Sequence, residues 1–205
     1  MKLPQNTFAM ALLGVPALLY GAAVRLRRRG YTALGLARRA AVPVISVGNL
    51  TVGGTGKTTI VSWLVRELQD RGWHPAVVSR GYLGRAGRGP LYVSRGQGPL
   101  VASDVSGDEP FLLASRLPGA VVVAGSDRVL GSRAAIEAGA DVVILDDGFQ
   151  HMRLARDVDL VLLDAHNPFG NYRLLPAGTL REPVSELRRA HAVIITRSRP
   201  DENFA

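Results

Sequence analysis

The chain has 205 residues, of which 47% are hydrophobic and 20% charged, so it can bury one substantial core and a single α/β domain is expected. It contains no cysteine, which excludes a disulfide framework and cysteine-ligated zinc or iron–sulfur sites. Its 25 lysines and arginines outnumber its 17 acids, and the net charge of +8 favours an anionic partner: nucleic acid, anionic lipid or a phosphorylated substrate.

An apolar segment near the N-terminus is followed at once by a basic cluster. Residues 8–24 carry no charged side chain, and the next residues include Arg25, Arg27, Arg28 and Arg29. The segment is shorter than the roughly 20 apolar residues of a spanning helix, so shallow insertion and a span both stay open. Arginines after the apolar stretch disfavour a secretory signal and favour a cytoplasmic position for the rest of the chain. We expect residues 1–30 to form a membrane-contacting apolar helix with a basic flank, with a buried core helix as the alternative.

A glycine-rich turn follows the first predicted strand, residues 42–47. Residues 47–59 read VGNLTVGGTGKTT, and an apolar helix face follows them. Glycines let backbone N–H groups point at phosphate oxygens, Lys57 adds a positive charge, and Thr58 supplies the hydroxyl expected on Mg²⁺. Thr51 stands where the usual pattern has glycine. The predicted nucleotide-binding loop comprises Thr51, Val52, Gly53, Gly54, Thr55, Gly56, Lys57 and Thr58.

Short β-branched runs alternate with longer amphipathic stretches in the rest of the chain. Strands are predicted at residues 75–79, 121–124, 142–145, 160–163 and 192–196, and helices up to Arg71 and at 108–116 and 128–138. This alternation predicts a mostly parallel sheet with helices on both faces and ligands at the carboxyl ends of the strands. Residues 81–100 are rich in glycine and arginine and are predicted to be a loop or hairpin. The predicted fold class is therefore α/β and P-loop NTPase-like, preceded by the N-terminal membrane-contacting helix.

Two acidic pairs occur where a phosphate-binding protein needs carboxylates. Asp146 and Asp147 end a buried strand, and either could hold Mg²⁺ beside the nucleotide. Adjacent strand residues point to opposite faces, so both face the metal only if the backbone changes direction at Gly148. Asp108 and Glu109 precede an apolar helix, where they could accept a hydroxyl proton, support Mg²⁺ or simply favour the helix N-terminus.

Taken together, these motifs resemble the tetraacyldisaccharide 4′-kinase family of lipid A biosynthesis, from the apolar segment to about Thr196. The resemblance rests on VGNLTVGGTGKT at residues 47–58, LDDGFQH at 145–151 and FGNYRLLPAGTLREP at 169–183, with SRGY at 79–82 and GDEP at 107–110. In that family the first loop position is commonly not glycine. The third segment departs from the family pattern, which usually has glycine and proline where this chain has Tyr172 and Thr179.

The resemblance implies transfer of the γ-phosphoryl group of ATP to the 4′-hydroxyl of an acylated glucosamine disaccharide 1-phosphate. It places this reaction at the cytoplasmic face of the bacterial inner membrane and implies ATP and Mg²⁺ as cofactors. By the same resemblance Asp108 is the catalytic base and Lys57 holds the phosphates. Mg²⁺ is positioned by Thr58, Glu109, Asp146 and Asp147. The candidates for acceptor binding are Arg80, Tyr82, Gln150 and His151.

The family's chain continues beyond residue 205, so residues 40–205 are expected to be a P-loop kinase domain truncated at its C-terminus, with weak or no activity alone. The alternative from another class is a membrane-associated partition-type ATPase switch, whose loop has an extra lysine where Val52 stands. Scattered arginines and only 6% aromatic residues disfavour a nucleic-acid-binding module. The loop also lacks the glycine spacing of dinucleotide-binding oxidoreductases. The expected partners are the lipid A precursor and a membrane surface, and nucleic acid is not expected.

Overall fold

The computed structural model describes residues 13–81 and 89–198. Tyr82 and residues 8–12 of the apolar segment therefore lie outside the described part. The helices are α1 Gly14–Ala33, α2 Lys57–Asp70, α3 Ser103–Ser106, α4 Asp108–Arg116 and α5 Arg128–Glu137, with a 3₁₀ turn at Val184–Arg189. The strands are β1 Val44–Asn49, β2 Pro75–Ser79, β3 Leu91–Arg95, β4 Val121–Ala124, β5 Val142–Asp146, β6 Val158–Asp164 and β7 Ala192–Thr196.

These strands form one sheet in the order β3-β4-β2-β5-β1-β6-β7. Every neighbouring pair is parallel except β3 with β4, which is antiparallel. The predicted mostly parallel α/β sheet is thus confirmed. Residues 81–100 were predicted to be a loop or hairpin, and an antiparallel bridge between Ser94 and Pro99 agrees with the hairpin. The pairing of Leu91–Arg95 with β4 at the sheet edge was not predicted. The five residues of this strand are flanked by glycine, arginine and proline, and an edge strand needs only one partner, so its β signal is weak.

Helices cover both faces of the sheet because the central strands are apolar on both sides. Val61 and Val65 of α2 pack in one cluster with Val77 and Ile144. On the other face, α5 packs on the sheet in a cluster that includes Val129, Val78 and Leu145. Each fully buried valine or leucine contributes about 1.5–3 kcal/mol relative to an exposed one. This two-sided burial fixes the carboxyl ends of β1 and β5 beside one another.

A third cluster lies on the α5 face, where Phe149 and Leu180 pack on Val161 and Leu163 of β6. Helix α1 lies against the segment that contributes Leu180. The Tyr20 hydroxyl donates to the Arg181 carbonyl at 2.9 Å, and Arg28 forms an ion pair with Glu186. In the described ranges, 13–81 and 89–198, no helix has the length and apolarity needed to cross a membrane.

Candidate active site

The predicted phosphate loop joins the end of β1 to the start of α2, at the carboxyl edge of the sheet. Gly53 and Gly56 have φ angles of 122° and 81°, conformations that glycine adopts without the steric cost of a Cβ atom. Helix α2 begins at Lys57, so the positive end of its dipole faces the loop. The structure thus gives the loop predicted from residues 51–58 the geometry of an anion-binding turn.

Lys57 is held over this loop by two oxygens. Its ammonium donates to Asn49 Oδ1 at 3.3 Å and lies 3.5 Å from Asp147 Oδ1. The amide nitrogen of the buried Asn49 donates in turn to the Thr51 carbonyl at 2.8 Å. Asn49 therefore fixes both the first turn of the loop and its lysine, a task that the sequence motif alone does not assign.

The paired acids Asp146 and Asp147 point in different directions. Asp146 is buried and accepts a hydrogen bond from the Ser79 hydroxyl at 3.1 Å. Asp147 has a φ of 56° and turns its carboxylate towards Lys57 and Arg181, whose Nη1 is 2.7 Å from Asp147 Oδ2. The change of backbone direction therefore occurs at Asp147 itself and not at Gly148.

Electrostatics separate these two carboxyl groups further. Burial raises the pKa of Asp146 to about 6, and the nearby negative charge of Glu109 adds to the effect. Burial also acts to raise the pKa of Asp147, but the positive charges of Lys57 and Arg181 outweigh it and hold that pKa below its usual value. At neutral pH both carboxyl groups are ionised. Asp147 is already stabilised by two cations, whereas the buried charge of Asp146 would be stabilised by a further cation nearby.

The donor set fits a Mg²⁺ ion that is bound together with a nucleotide. Asp147 Oδ1 is buried and its contact with the Lys57 ammonium is long, at 3.5 Å, without the geometry of a hydrogen bond. The charge of Glu109 acts on Asp146, so the first turn of α4 lies near the end of β5. Among the residues that the structure describes, no group of three or more acidic, histidine or cysteine side chains could enclose a metal by itself. Mg²⁺ commonly uses one or two carboxylates with water and substrate phosphates, so Thr58, Glu109, Asp146 and Asp147 fit that mode.

Arg128 lies beneath the same edge and was missed by sequence reasoning. It is 3% exposed and donates to the carbonyls of Gly125 at 2.5 Å and Asp146 at 3.2 Å. Burial lowers the pKa of Arg128 to about 10, which still leaves it cationic at neutral pH. It therefore supplies a fixed positive charge behind the paired acids.

The residues predicted to bind the acceptor differ in their contacts. Gln150 is tied into the framework, because its amide nitrogen donates to the Asn49 carbonyl at 2.9 Å and lies 3.5 Å from Glu182 Oε2. His151 has a buried Nε2 with no hydrogen-bond partner among the described residues. The charge of Arg80 acts on Arg128, so Arg80 lies in the neighbourhood of that buried guanidinium. Asp108 and Glu109 are exposed in the first turn of α4, after Gly107 with a φ of 89°.

The segment at residues 169–183, the third of the motifs in the sequence, packs directly on the phosphate loop. Val52 N–H donates to the Thr179 carbonyl at 2.8 Å, and Arg181 N–H donates to the Leu50 carbonyl at 2.7 Å. A Cβ at Gly178 would overlap the Arg173 carbonyl, so only glycine fits there. Tyr172 has a φ of 57°, the left-handed conformation that glycine adopts more readily. The segment therefore holds the loop from one side and brings Arg181 to Asp147.

The end of β7 holds the loop from another side. Thr196 Oγ1 donates to the Thr55 carbonyl at 3.0 Å. Arg197 donates to the Gly54 carbonyl at 2.7 Å and pairs with Asp164 Oδ2 at 2.6 Å. These contacts tie two carbonyls of the loop to the end of β7. Sequence reasoning did not identify Thr196 or Arg197 as part of the site.

The fold and loop define a P-loop nucleotide-binding protein, and three comparisons specify the family. The model of the Tetraacyldisaccharide-1-P 4′-kinase family matches residues 9–205. A tetraacyldisaccharide 4′-kinase of Halorhodospira halophila is 56% identical over 180 residues, covering 87% of this chain and 54% of that protein. That of Syntrophotalea carbinolica is 54% identical over 186 residues, covering 89% of this chain and 52% of that protein.

A solved structure agrees with these sequence matches. The crystal structure of LpxK from Aquifex aeolicus in complex with ATP has a TM-score of 0.86 and 41% identity, covering 96% of this chain and 62% of that one. The chain therefore belongs to the tetraacyldisaccharide 4′-kinase family, as the motifs predicted. It spans about half the length of the curated relatives it matches.

Proposed function

We propose that this chain provides the nucleotide and catalytic site for ATP-dependent phosphorylation of the 4′-hydroxyl of tetraacyldisaccharide 1-phosphate. The observation that carries the proposal is the convergence of Lys57, Asp147 and Arg181 beside a phosphate loop. Its relatives are named for this reaction, and the similar solved structure is a complex with ATP.

The roles follow from charge and position. Residues 51–58 wrap the phosphates, and the Lys57 ammonium neutralises charge on the transferred group. Mg²⁺ bound with ATP supplies further charge neutralisation, held by Thr58, Asp146 and Asp147 with Glu109 nearby. The exposed Asp108 accepts the proton of the attacking hydroxyl, a task that needs a solvent-accessible carboxylate at the acceptor side.

The acceptor side takes the disaccharide of the lipid substrate. Arg80 and Tyr82 precede α4 in the chain and contact the acceptor phosphate or sugar in this proposal. His151 offers a neutral imidazole nitrogen, since burial and neighbouring arginines lower its pKa to about 4. Gln150 acts indirectly, because its amide nitrogen already bonds to the Asn49 carbonyl.

The N-terminal part, residues 1–30, forms the membrane-contacting unit of this proposal, and residues 40–205 form the kinase domain. Helix α1 exposes Leu18, Leu19 and Leu26 by 74%, 66% and 73%. The basic cluster that starts at Arg25 adds attraction to an anionic leaflet, at about 1 kcal/mol for each basic residue near the surface. These features support a position at the cytoplasmic face of the inner membrane, where the lipid substrate is accessible.

Label transfer from γ-labelled ATP to tetraacyldisaccharide 1-phosphate in mixed micelles tests the proposed reaction. We would assay the chain alone and a chimera in which residues 13–198 replace the matching part of the Halorhodospira halophila relative. Label at the 4′ position that disappears in Asp108→Asn supports the proposal. A folded chimera that binds ATP and leaves the lipid unlabelled would contradict it.

A further inference from the structure

A cavity of about 300 Å³ lies between residues 38–41 and helix α5. Residues 38–41 precede β1, so the cavity opens at the amino edge of the sheet, whereas the phosphate loop lies at the carboxyl edge. None of the loop residues 51–58 lines it. The cavity is therefore a separate feature from the candidate active site.

Three arginines dominate the charge around this cavity. Arg38, Arg39 and Arg133 line it and are exposed, and Glu137 is the one acid among the lining residues. Within the described part of the chain, the three guanidinium groups make no hydrogen bond or ion pair. Three arginines and one glutamate leave this concave site with a net positive charge, which favours an anion there, and guanidinium groups match phosphate geometry well.

The interior of the cavity combines apolar walls with one unsatisfied hydroxyl. Val129, Ile136 and Leu154 provide apolar lining. Ser132 also lines it, is 1% exposed, and its Oγ has no hydrogen-bond partner among the described residues. A buried hydroxyl without a partner is costly, so a ligand oxygen that accepts from Ser132 would remove that cost.

We propose that this cavity is a second binding site for a phosphate ester that has a net negative charge and carries an apolar group. The three arginines bind the phosphate, Ser132 donates to one of its oxygens or to the ester, and the apolar wall covers the adjoining carbons. A volume near 300 Å³ is at the lower limit for ligand pockets, so it accommodates a headgroup with its first carbons and not a whole lipid.

The chemistry has two possible sources: the headgroup of an anionic phospholipid or a free organic phosphate. The surroundings favour the lipid headgroup. Leu34 and Leu36, which lie in the chain between α1 and the lining residues 38–41, are 71% and 50% exposed, so apolar side chains available to a membrane continue past the end of the helix. A membrane that contacts α1 would bring phospholipid headgroups to the same side of the molecule.

Titration with water-soluble ligands separates these sources. We would measure binding to the full chain of short-chain phosphatidylglycerol, phosphatidylcholine of equal chain length, and glycerol 3-phosphate, with excess Mg²⁺ and ADP present to occupy the nucleotide site. Saturable binding of phosphatidylglycerol well above that of phosphatidylcholine supports the proposal and identifies a lipid headgroup. Equal affinity for glycerol 3-phosphate supports it and identifies a free phosphate, whereas equal affinity for phosphatidylcholine overturns it.

A matched pair of triple variants locates the binding. Arg38→Gln, Arg39→Gln and Arg133→Gln together should weaken it by at least about tenfold, since each arginine near an anionic lipid contributes roughly fivefold. The control carries Arg66→Gln, Arg71→Gln and Arg116→Gln, three exposed arginines of α2, its end and α4. Equal losses in both triples would show only general electrostatic attraction and would overturn the proposal.

Ser132→Ala should weaken binding further without changing net charge. Because no turnover is measured, these results are independent of the proposed kinase activity.

Discussion

The Lys57 ammonium lies 3.5 Å from Asp147 Oδ1, while the other oxygen of Asp147 is 2.7 Å from Arg181 Nη1. One carboxylate thus joins the phosphate loop to the segment that packs on it. The positions of Lys57 and Arg181 are coupled through Asp147, because each cation loses a partner if that carboxylate moves. With a nucleotide and Mg²⁺ bound, Lys57 would hold the phosphates and Asp147 would help to hold the metal, which would supply charge neutralisation.

Asp147→Asn should therefore abolish most of the effect of Mg²⁺ on ATP affinity. The amide keeps the size of the side chain but removes the anion that a hard cation requires, and charged contacts of this type contribute about 1.5–3 kcal/mol. Isothermal titration with ATP, with and without Mg²⁺, measures the difference. Asp70→Asn, an exposed acid at the end of α2, is the control and should behave as wild type. The same Mg²⁺ effect in Asp147→Asn would remove this residue from the metal site.

Arg197→Ala should weaken nucleotide binding while leaving the fold intact. The guanidinium holds the Gly54 carbonyl at 2.7 Å, and its loss frees the loop to adopt conformations that bind phosphate less well. Because the side chain is 57% exposed, we expect an effect of about threefold to tenfold and not more. Arg71→Ala provides a control of similar exposure, 63%, in a side chain that pairs with Glu67. Equal nucleotide affinities in the two variants would contradict the role of Arg197.

Gly178→Ala should destabilise the segment that packs on the phosphate loop. The new Cβ would overlap the Arg173 carbonyl and the Asn171 side chain. Relief of the overlap requires the backbone at Arg173 to move, which costs free energy. Overpacking of this kind costs about 1–3 kcal/mol, measured as the free energy of unfolding in urea. Gly30→Ala in helix α1 is the matched control, because a Cβ there meets nothing within 4 Å. It should be neutral or stabilise the chain by up to about 1 kcal/mol.

His151 should lower the stability of the chain as the pH drops from about 6.5 to 4, against an opposite contribution from Asp146, whose raised pKa lets the folded chain take up a proton first. Burial and the charges of Arg128 and Arg156 lower the pKa of His151 from 6.5 to about 4, so the folded chain keeps this imidazole neutral while the unfolded chain protonates it. The unfolded state then binds more protons, and stability changes by at most about 1.4 kcal/mol per pH unit from this group. Urea unfolding at pH 6.5, 5.5 and 4.5 should give a smaller slope for His151→Gln. Identical slopes would mean that another group is responsible.

Local sequence patterns predicted much of the fold and the centre of the site. The strands β1, β2, β4 and β5 are apolar runs of β-branched residues, and the phosphate loop and the paired acids are contiguous motifs at the ends of β1 and β5. Such features depend on neighbours in the chain, so they are visible without a structure. The region of β3 was predicted only as a loop or hairpin, and its pairing with β4 was not predicted because glycine and arginine around it conceal a five-residue pattern.

The residues that sequence reasoning missed reach the site from far along the chain. Arg181 and Arg197 contact Asp147 and Gly54 across 34 and 143 residues of sequence. Arg128 reaches the Asp146 carbonyl from the start of α5. Arginine is common in this chain, and although Arg181 lies in the motif at residues 169–183, the motif does not indicate its partner, while nothing local distinguishes Arg128 and Arg197 from the arginines on the surface. Only the order of strands in the sheet determines which of them meet the loop.

Residues 51–58, which include Lys57, form the Mg²⁺–ATP site in our proposal. The ATP affinity of Lys57→Ala is the first measurement to make. Lys2 is the only other lysine of the chain, so Lys2→Ala makes a control of equal charge. We predict that Lys57→Ala loses at least about tenfold in affinity, since a charge-assisted phosphate contact contributes about 1.5–3 kcal/mol, while Lys2→Ala retains it. Unchanged ATP affinity in Lys57→Ala would contradict the account.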